Sequence, residues 1–114
     1  MEKYDALSLL DFLNESPCNF RAVDTICREL AANGFQELNL SDKWELTKGG
    51  KYFATKNGSA VFAFVVGESP ISESGFNIIA AHSDSPCFRI KPHPEMPGHG
   101  VVRLNTEVYG GPIL

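Results

Sequence analysis

The feature that most restricts the possible folds is a β-hairpin pattern over residues 51–67. Asn57-Gly58 suits the two positive φ angles of a type I′ turn, and strand-forming residues flank it on both sides. The first arm, residues 51–56, alternates as a half-exposed strand does, whereas residues 60–66 are apolar on both faces. We therefore expect the second arm to lie in the centre of a sheet that is covered on both faces.

Two helices are predicted ahead of this hairpin. Leucines recur at helical spacing over residues 2–14. A second apolar face runs from Asn19, the expected N-cap, to Gly34, which would end the helix in a left-handed conformation. Helices followed by strands predict an α/β fold in which two N-terminal helices pack on a mixed β-sheet.

The rest of the chain is predicted to be mostly β. A short strand is expected within residues 35–40, before the hairpin. Residues 76–81 form an apolar run typical of a buried strand, and residues 88–91 and 101–109 are predicted to be further strands. Three prolines and two glycines over residues 92–100 predict an exposed loop.

Composition excludes several classes of partner. The net charge is −4 and no basic cluster occurs, which argues against a nucleic-acid partner. The longest apolar run, residues 60–66, is far shorter than the ~20 residues that cross a bilayer. The start Met-Glu-Lys-Tyr-Asp is too polar for a secretory signal, so we expect a cytoplasmic protein without a membrane partner.

The cysteines are odd in number and widely spaced. Cys18, Cys27 and Cys87 include no Cys-x-x-Cys pair. We interpret them as free thiols in or near the core.

His82 and Asp84 directly follow the apolar run of residues 76–81. One interpretation is a metal site, in which the imidazole is a ligand and the carboxylate fixes its tautomer. The other is a histidine that caps a strand end and bonds to a neighbouring carboxylate. The His-x-Asp spacing alone supports both interpretations equally.

Other polar residues have simpler interpretations. His93 and His99, with Glu95 between them, are expected on the surface of the predicted loop, because a mobile segment holds ligand geometry poorly. Arg89 and Lys91 alternate with apolar residues, which favours a solvated strand face over substrate contact.

Two patterns leave further alternatives open. The glycines within residues 107–112 allow either a close backbone approach to a ligand or a plain turn. A different hydrolase, built on His82 and Cys87, would need the histidine held close to the thiol, and nothing in the spacing requires that.

In order along the chain, these residues resemble the N-terminal part of the M18 metallopeptidases, the aspartyl aminopeptidase family. The most specific match is residues 80–92, which read Ala-Ala-His-Ser-Asp-Ser-Pro-Cys-Phe-Arg-Ile-Lys-Pro. The other matching segments are Ser16-Pro17, Ala22-Val23, Gly34-Phe35, residues 46–52 and residues 107–111.

The resemblance implies part of a zinc-exopeptidase catalytic domain of the phosphorylase/hydrolase-like class. It implies a zinc-dependent aminopeptidase that uses two divalent metal ions to remove N-terminal, acidic residues from peptide substrates. Carried over by position, His82 is a metal ligand and Asp84 is the catalytic aspartate that orients or supports the site. No substrate-binding residue is indicated, and a homo-oligomer is expected.

In the family, the general-base glutamate and the remaining ligands lie downstream of the segment that residues 107–111 match. We therefore expect residues 1–114 to be an N-terminal fragment of the catalytic domain, with the dimerisation domain and the rest of the catalytic domain absent. Such a fragment would be inactive and would not bind zinc tightly by itself. The alternative is a stand-alone, non-catalytic interaction module that uses its uncovered sheet face.

Overall fold

A computed structural model of the chain describes residues 5–111. Helix α1 spans Ala6–Glu15, so the predicted start of this helix lies partly outside the described residues. Asp5 is its N-cap, and its carboxylate accepts hydrogen bonds from the backbone N–H groups of Leu7 and Ser8. The Ser8 hydroxyl in turn accepts from the Asp5 N–H, which completes a capping box.

Helix α2 spans Asn19–Ala32. Asn19 was expected as the N-cap and this is wrong: Cys18 takes that position, with an extended backbone and no capping side-chain bond. The predicted end is confirmed, because Gly34 has a φ of +80°. The Phe35 N–H donates to the Leu30 carbonyl, which closes the helix in the Schellman manner.

A three-stranded mixed sheet follows the helices. Strand β1 is Gln36–Glu37, β2 is Lys51–Lys56 and β3 is Ala60–Val65. Strand β2 lies in the centre, parallel to β1 and antiparallel to β3. Asn57 and Gly58 have φ angles of 55° and 63°, as the predicted hairpin turn requires. The α/β fold class with a mixed sheet is therefore confirmed.

The buried residues lie on helix α2 and on the central strand β2. Six described residues are buried, and three of them belong to β2. They are Ala22, Val23, Thr25, Tyr52, Phe53 and Ala54. The hairpin arms are thus reversed from the prediction, because the alternating arm is central and the fully apolar arm is an edge strand.

The predicted buried strand over residues 76–81 is also wrong. These residues follow a one-turn helix, α3 (Ile71–Ser74), and form neither helix nor strand. Ile78 and Ile79 are 81% and 101% exposed. Their apolar pattern does not produce a strand because no described strand pairs with them or covers them.

Residues 87–109 form a two-stranded antiparallel ribbon of β4 (Cys87–Gly98) and β5 (Val101–Tyr109). The predicted loop over residues 92–100 is therefore mostly strand. Pro92 and Pro94 fall within a register shift of the ladder between Ile90 and Glu95. Pro97 pairs with Val102, and a strand of a two-stranded ribbon tolerates proline because one of its edges makes no ladder hydrogen bonds. Only His99 and Gly100 make the turn, both with positive φ.

The chain divides into two compact units, Met1–Asp84 and Ser85–Leu114. The helices and the three-stranded sheet belong to the first unit, and the ribbon belongs to the second. Within residues 5–111, no helix has both the length and the apolar character needed to cross a membrane.

Candidate metal centre

His82 and Asp84 lie near the end of the first unit, on an irregular stretch that precedes β4. The imidazole Nδ1 is 2.8 Å from the backbone carbonyl oxygen of Asp84 and 3.1 Å from its carboxylate Oδ1. The two residues that the sequence singled out therefore contact each other directly. The His82 side chain is 82% exposed and that of Asp84 is 41% exposed.

These contacts determine the tautomer of a neutral His82. A carbonyl oxygen can only accept a hydrogen bond, so Nδ1 must carry the proton that it donates to Asp84. The lone pair of the neutral ring is then on Nε2, at the far side of an exposed side chain. An imidazole held in this way has the donor chemistry of a metal ligand, with a supporting carboxylate behind it.

Ser83, between them, makes a long-range contact. Its hydroxyl donates a hydrogen bond of 3.1 Å to the backbone carbonyl of Ser59, at the end of the β2–β3 turn. Ser83 is half-buried, whereas His82 is exposed. Sequence reasoning missed this residue, because its partner is 24 residues away and no local pattern signals the contact.

Residues 5–111 do not provide a complete metal site. Among them, no group of three or more histidine, cysteine, aspartate or glutamate side chains is arranged to hold an ion. His93 lies in the irregular part of β4 with a φ of 52°, and His99 lies in the ribbon turn. The described donor set thus fits one corner of a zinc site, at His82, and does not supply the other ligands.

All three cysteines are free thiols, as predicted. Cys18 and Cys27 are half-buried, but Cys87 is exposed on β4, so its expected place near the core is wrong. Burial raises the pKa of the Cys27 thiol, and the nearby carboxylates of Glu37 and Asp24 raise it further. A raised thiol pKa disfavours the reactive thiolate, so Cys27 is not an activated nucleophile.

Arg89, which was expected on a solvated strand face, contacts the aromatic ring of Tyr109. Its guanidinium carbon lies 3.5 Å from the centre of the Tyr109 ring, a close cation–π contact across the ribbon. Arg89 stands opposite Glu107 in the ladder, and Tyr109 stands opposite Cys87. The stacking could have been anticipated only from the strand register, because the two residues are diagonal neighbours.

A family sequence model and individual relatives both match this chain. The sequence model of the aminopeptidase I zinc metalloproteases (M18) matches residues 12–114. A probable M18 family aminopeptidase 2 of Clostridium novyi (strain NT) is 57% identical over 110 residues, which cover 96% of this chain and 25% of that protein.

Solved structures agree in fold. Chaetomium thermophilum mApe1 superposes with a TM-score of 0.85 at 38% identity, over 90% of this chain and 24% of that one. The S. cerevisiae mApe1 dodecamer gives a TM-score of 0.85 at 26% identity, over 96% of this chain and 26% of that one. The chain therefore spans about a quarter of the length of the relatives it matches.

Proposed function

The chain belongs to the M18 family of zinc metalloproteases, and on that basis we propose that the whole protein is a zinc-dependent aminopeptidase. The single observation that carries the proposal is the His82–Asp84 pair, within a family match that runs from residue 12 to residue 114. This pair has the chemistry that a histidine ligand needs, namely a protonated Nδ1 and a lone pair on Nε2.

In this proposal His82 is a metal ligand through Nε2. Asp84 accepts a hydrogen bond from the Nδ1–H group, which keeps the ring in the required tautomer and orientation. Bound zinc, as two ions in the complete protein, would polarise the scissile carbonyl and lower the pKa of a coordinated water. Because residues 5–111 do not supply the other ligands, we propose that residues 1–114 are a fragment of the catalytic domain, inactive and without tight zinc binding in isolation.

The proposed substrate class comes from the resemblance to the aspartyl aminopeptidase family. We propose that the whole protein removes N-terminal, acidic residues from peptides, acts in the cytoplasm and assembles as a homo-oligomer. The dodecameric state of S. cerevisiae mApe1, which shares this fold, supports an oligomer.

The proposal is tested with the whole protein and two matched histidine variants. We expect zinc-dependent release of aspartate or glutamate from aminoacyl anilides, faster than release of leucine. His82→Ala should reduce kcat by more than about 100-fold, since losing a ligand exceeds losing its supporting group. His99→Ala, in the ribbon turn, should leave kcat unchanged. Full activity in the His82→Ala protein would refute the ligand assignment.

One observation favours the second candidate, a non-catalytic interaction module. The ribbon exposes large apolar side chains, with Phe88, Val102 and Val108 each more than 60% exposed. Exposed apolar surface of this kind promotes association. A reading frame that stops naturally at Leu114 would support the module, whereas a continuing frame with further Asp, Glu and His ligands would support the peptidase.

A further inference from the structure

Within the first unit, Ser83 connects the His82–Asp84 segment to the turn of the three-stranded sheet. Over residues 76–83, the Ser83 side chain makes the one hydrogen bond that the described structure shows to the three-stranded sheet or its turn. Apolar burial cannot replace it, because Phe76, Ile78 and Ile79 are between 73% and 101% exposed.

The Ser83 hydrogen bond lies between the two residues of the candidate site. The His82 imidazole contacts Asp84, and the Ser83 hydroxyl donates to the Ser59 carbonyl. The hairpin turn that carries Ser59 is itself restrained, since Asn57 and Gly58 both adopt positive φ angles. The bond therefore connects residues 76–83, which pack weakly, to a turn whose backbone conformation is restrained.

We propose that Ser83 is a positioning residue that fixes the orientation of the His82 imidazole through its hydrogen bond to the Ser59 carbonyl. The predicted effect of Ser83 on zinc binding rests on the proposed function, whereas its predicted effect on the His82 ring does not. Without the bond, the segment gains conformations in which Nδ1 no longer faces the Asp84 carbonyl. The Nδ1–H tautomer then loses its preferred partner.

The first test measures the tautomer of His82 in the 114-residue chain. Nitrogen-15 shifts of the imidazole distinguish Nδ1–H from Nε2–H, and His93 and His99 serve as internal references. At a pH where the ring is neutral, Ser83→Ala should lower the ratio of Nδ1–H to Nε2–H about five-fold, the effect of one typical hydrogen bond.

Three matched variants separate positioning from a general structural effect. Ser83→Thr keeps a hydroxyl donor and should restore the wild-type ratio. Ser59→Ala should change nothing, because the acceptor is a backbone carbonyl. Ser85→Ala removes an exposed serine from the same segment and should also change nothing. A wild-type ratio in the Ser83→Ala chain, or failure of threonine to restore it, would overturn the inference.

The second test measures zinc affinity in the whole protein. Ser83→Ala should raise the zinc dissociation constant about 10-fold, as expected for a residue that supports a ligand, and Ser83→Thr should not. Unchanged affinity in the Ser83→Ala protein, when His82→Ala abolishes binding, would overturn the role of Ser83 alone. Unchanged affinity in both variants would instead refute the assignment of His82 as a ligand.

Discussion

The three-stranded sheet and the β4–β5 ribbon are both rich in apolar side chains, yet they bury them very differently. The central strand β2 places Tyr52, Phe53 and Ala54 at 5% exposure or less, and the other buried residues of this unit lie on helix α2. In the ribbon, no described residue is buried, and Phe88 is 76% exposed. Strand formation thus requires only a backbone partner, whereas a core requires a second layer.

The sharpest way to test this contrast is to remove the same side chain from both regions. Phe53→Ala should lower the free energy of unfolding of the chain by about 3 kcal/mol, because it leaves a cavity in the packed layer. Phe88→Ala should change it by less than about 0.5 kcal/mol, because its side chain is exposed. Urea unfolding, followed by circular dichroism, measures both. Equal losses of unfolding free energy in the two variants would show that the Phe88 side chain is buried in solution.

The ribbon should instead depend on backbone geometry where its strands meet. Gly110 has a φ of +89°, and an added Cβ would lie 3.0 Å from the Pro86 Cα. Gly110→Ala should destabilise the ribbon by about 2 kcal/mol, through strain and contact with backbone. An added Cβ at Gly111 meets nothing within 4 Å, so Gly111→Ala is the control.

Amide hydrogen exchange in β5 reports the opening of the ribbon. Protection should fall in the Gly110→Ala chain and stay near wild type in the Gly111→Ala chain. Equal protection in the two variants would mean that the close approach to Pro86 does not stabilise the ribbon.

A smaller contribution to the ribbon is expected from the stacking of Arg89 on Tyr109. Tyr109→Leu removes the ring beneath the guanidinium and should cost about 0.5–1 kcal/mol, as exposed cation–π contacts do. Tyr109→Phe keeps a ring face and should retain most of this energy. Amide exchange at Arg89 and its ladder partner distinguishes the two variants, and identical losses would exclude the ring as the source.

The smallest effect is expected at the N-cap of α1, in the first unit. Hydrogen bonds from the Ser8 backbone N–H, and also from Leu7, lower the pKa of the Asp5 carboxyl below its ordinary value of 3.8. Because its pKa is lowered in the folded state, the ionised carboxylate stabilises the helix at pH values above the unfolded-state pKa. This stabilisation is lost as the pH falls through the folded-state pKa.

Circular dichroism at 222 nm, from about pH 5 to about pH 2, checks this dependence. Asp5→Asn retains a capping side chain but does not titrate there, so its helix signal should fall less than that of wild type. Superimposable pH curves for the two chains would show that the Asp5 charge does not contribute to α1.

The sequence predicted those parts of the fold that have local causes. The Asn57-Gly58 turn and the Gly34 helix end depend on backbone preferences of the residues themselves, and both are observed. The His82–Asp84 contact is also local, since the two residues are two positions apart. Interactions between residues close in sequence were therefore enough to predict that His82 and Asp84 belong to one candidate site.

The predictions that failed depend on what lies beside a segment. Residues 60–66 and 76–81 have the apolar patterns of covered strands, but within residues 5–111 none of their side chains is buried. The Ser83 contact with Ser59 joins positions 24 residues apart, which no pattern of neighbouring residues encodes. Proline content likewise led to a wrong assignment of residues 92–98, because a two-stranded ribbon with a register shift accommodates prolines both in the shift and on its strand edges.

We propose that His82 is one ligand of a zinc site whose other ligands lie outside residues 5–111, since no group of three or more histidine, cysteine, aspartate or glutamate side chains within those residues is arranged to hold an ion. Zinc content per chain, measured by mass spectrometry after dialysis, tests it in the 114-residue chain and in the whole protein. We expect negligible zinc in the 114-residue chain, bound zinc in the whole protein, and its loss on His82→Ala. Stoichiometric zinc in the monomeric 114-residue chain, lost on His82→Ala, would contradict the account, and so would whole-protein zinc that His82→Ala leaves unchanged.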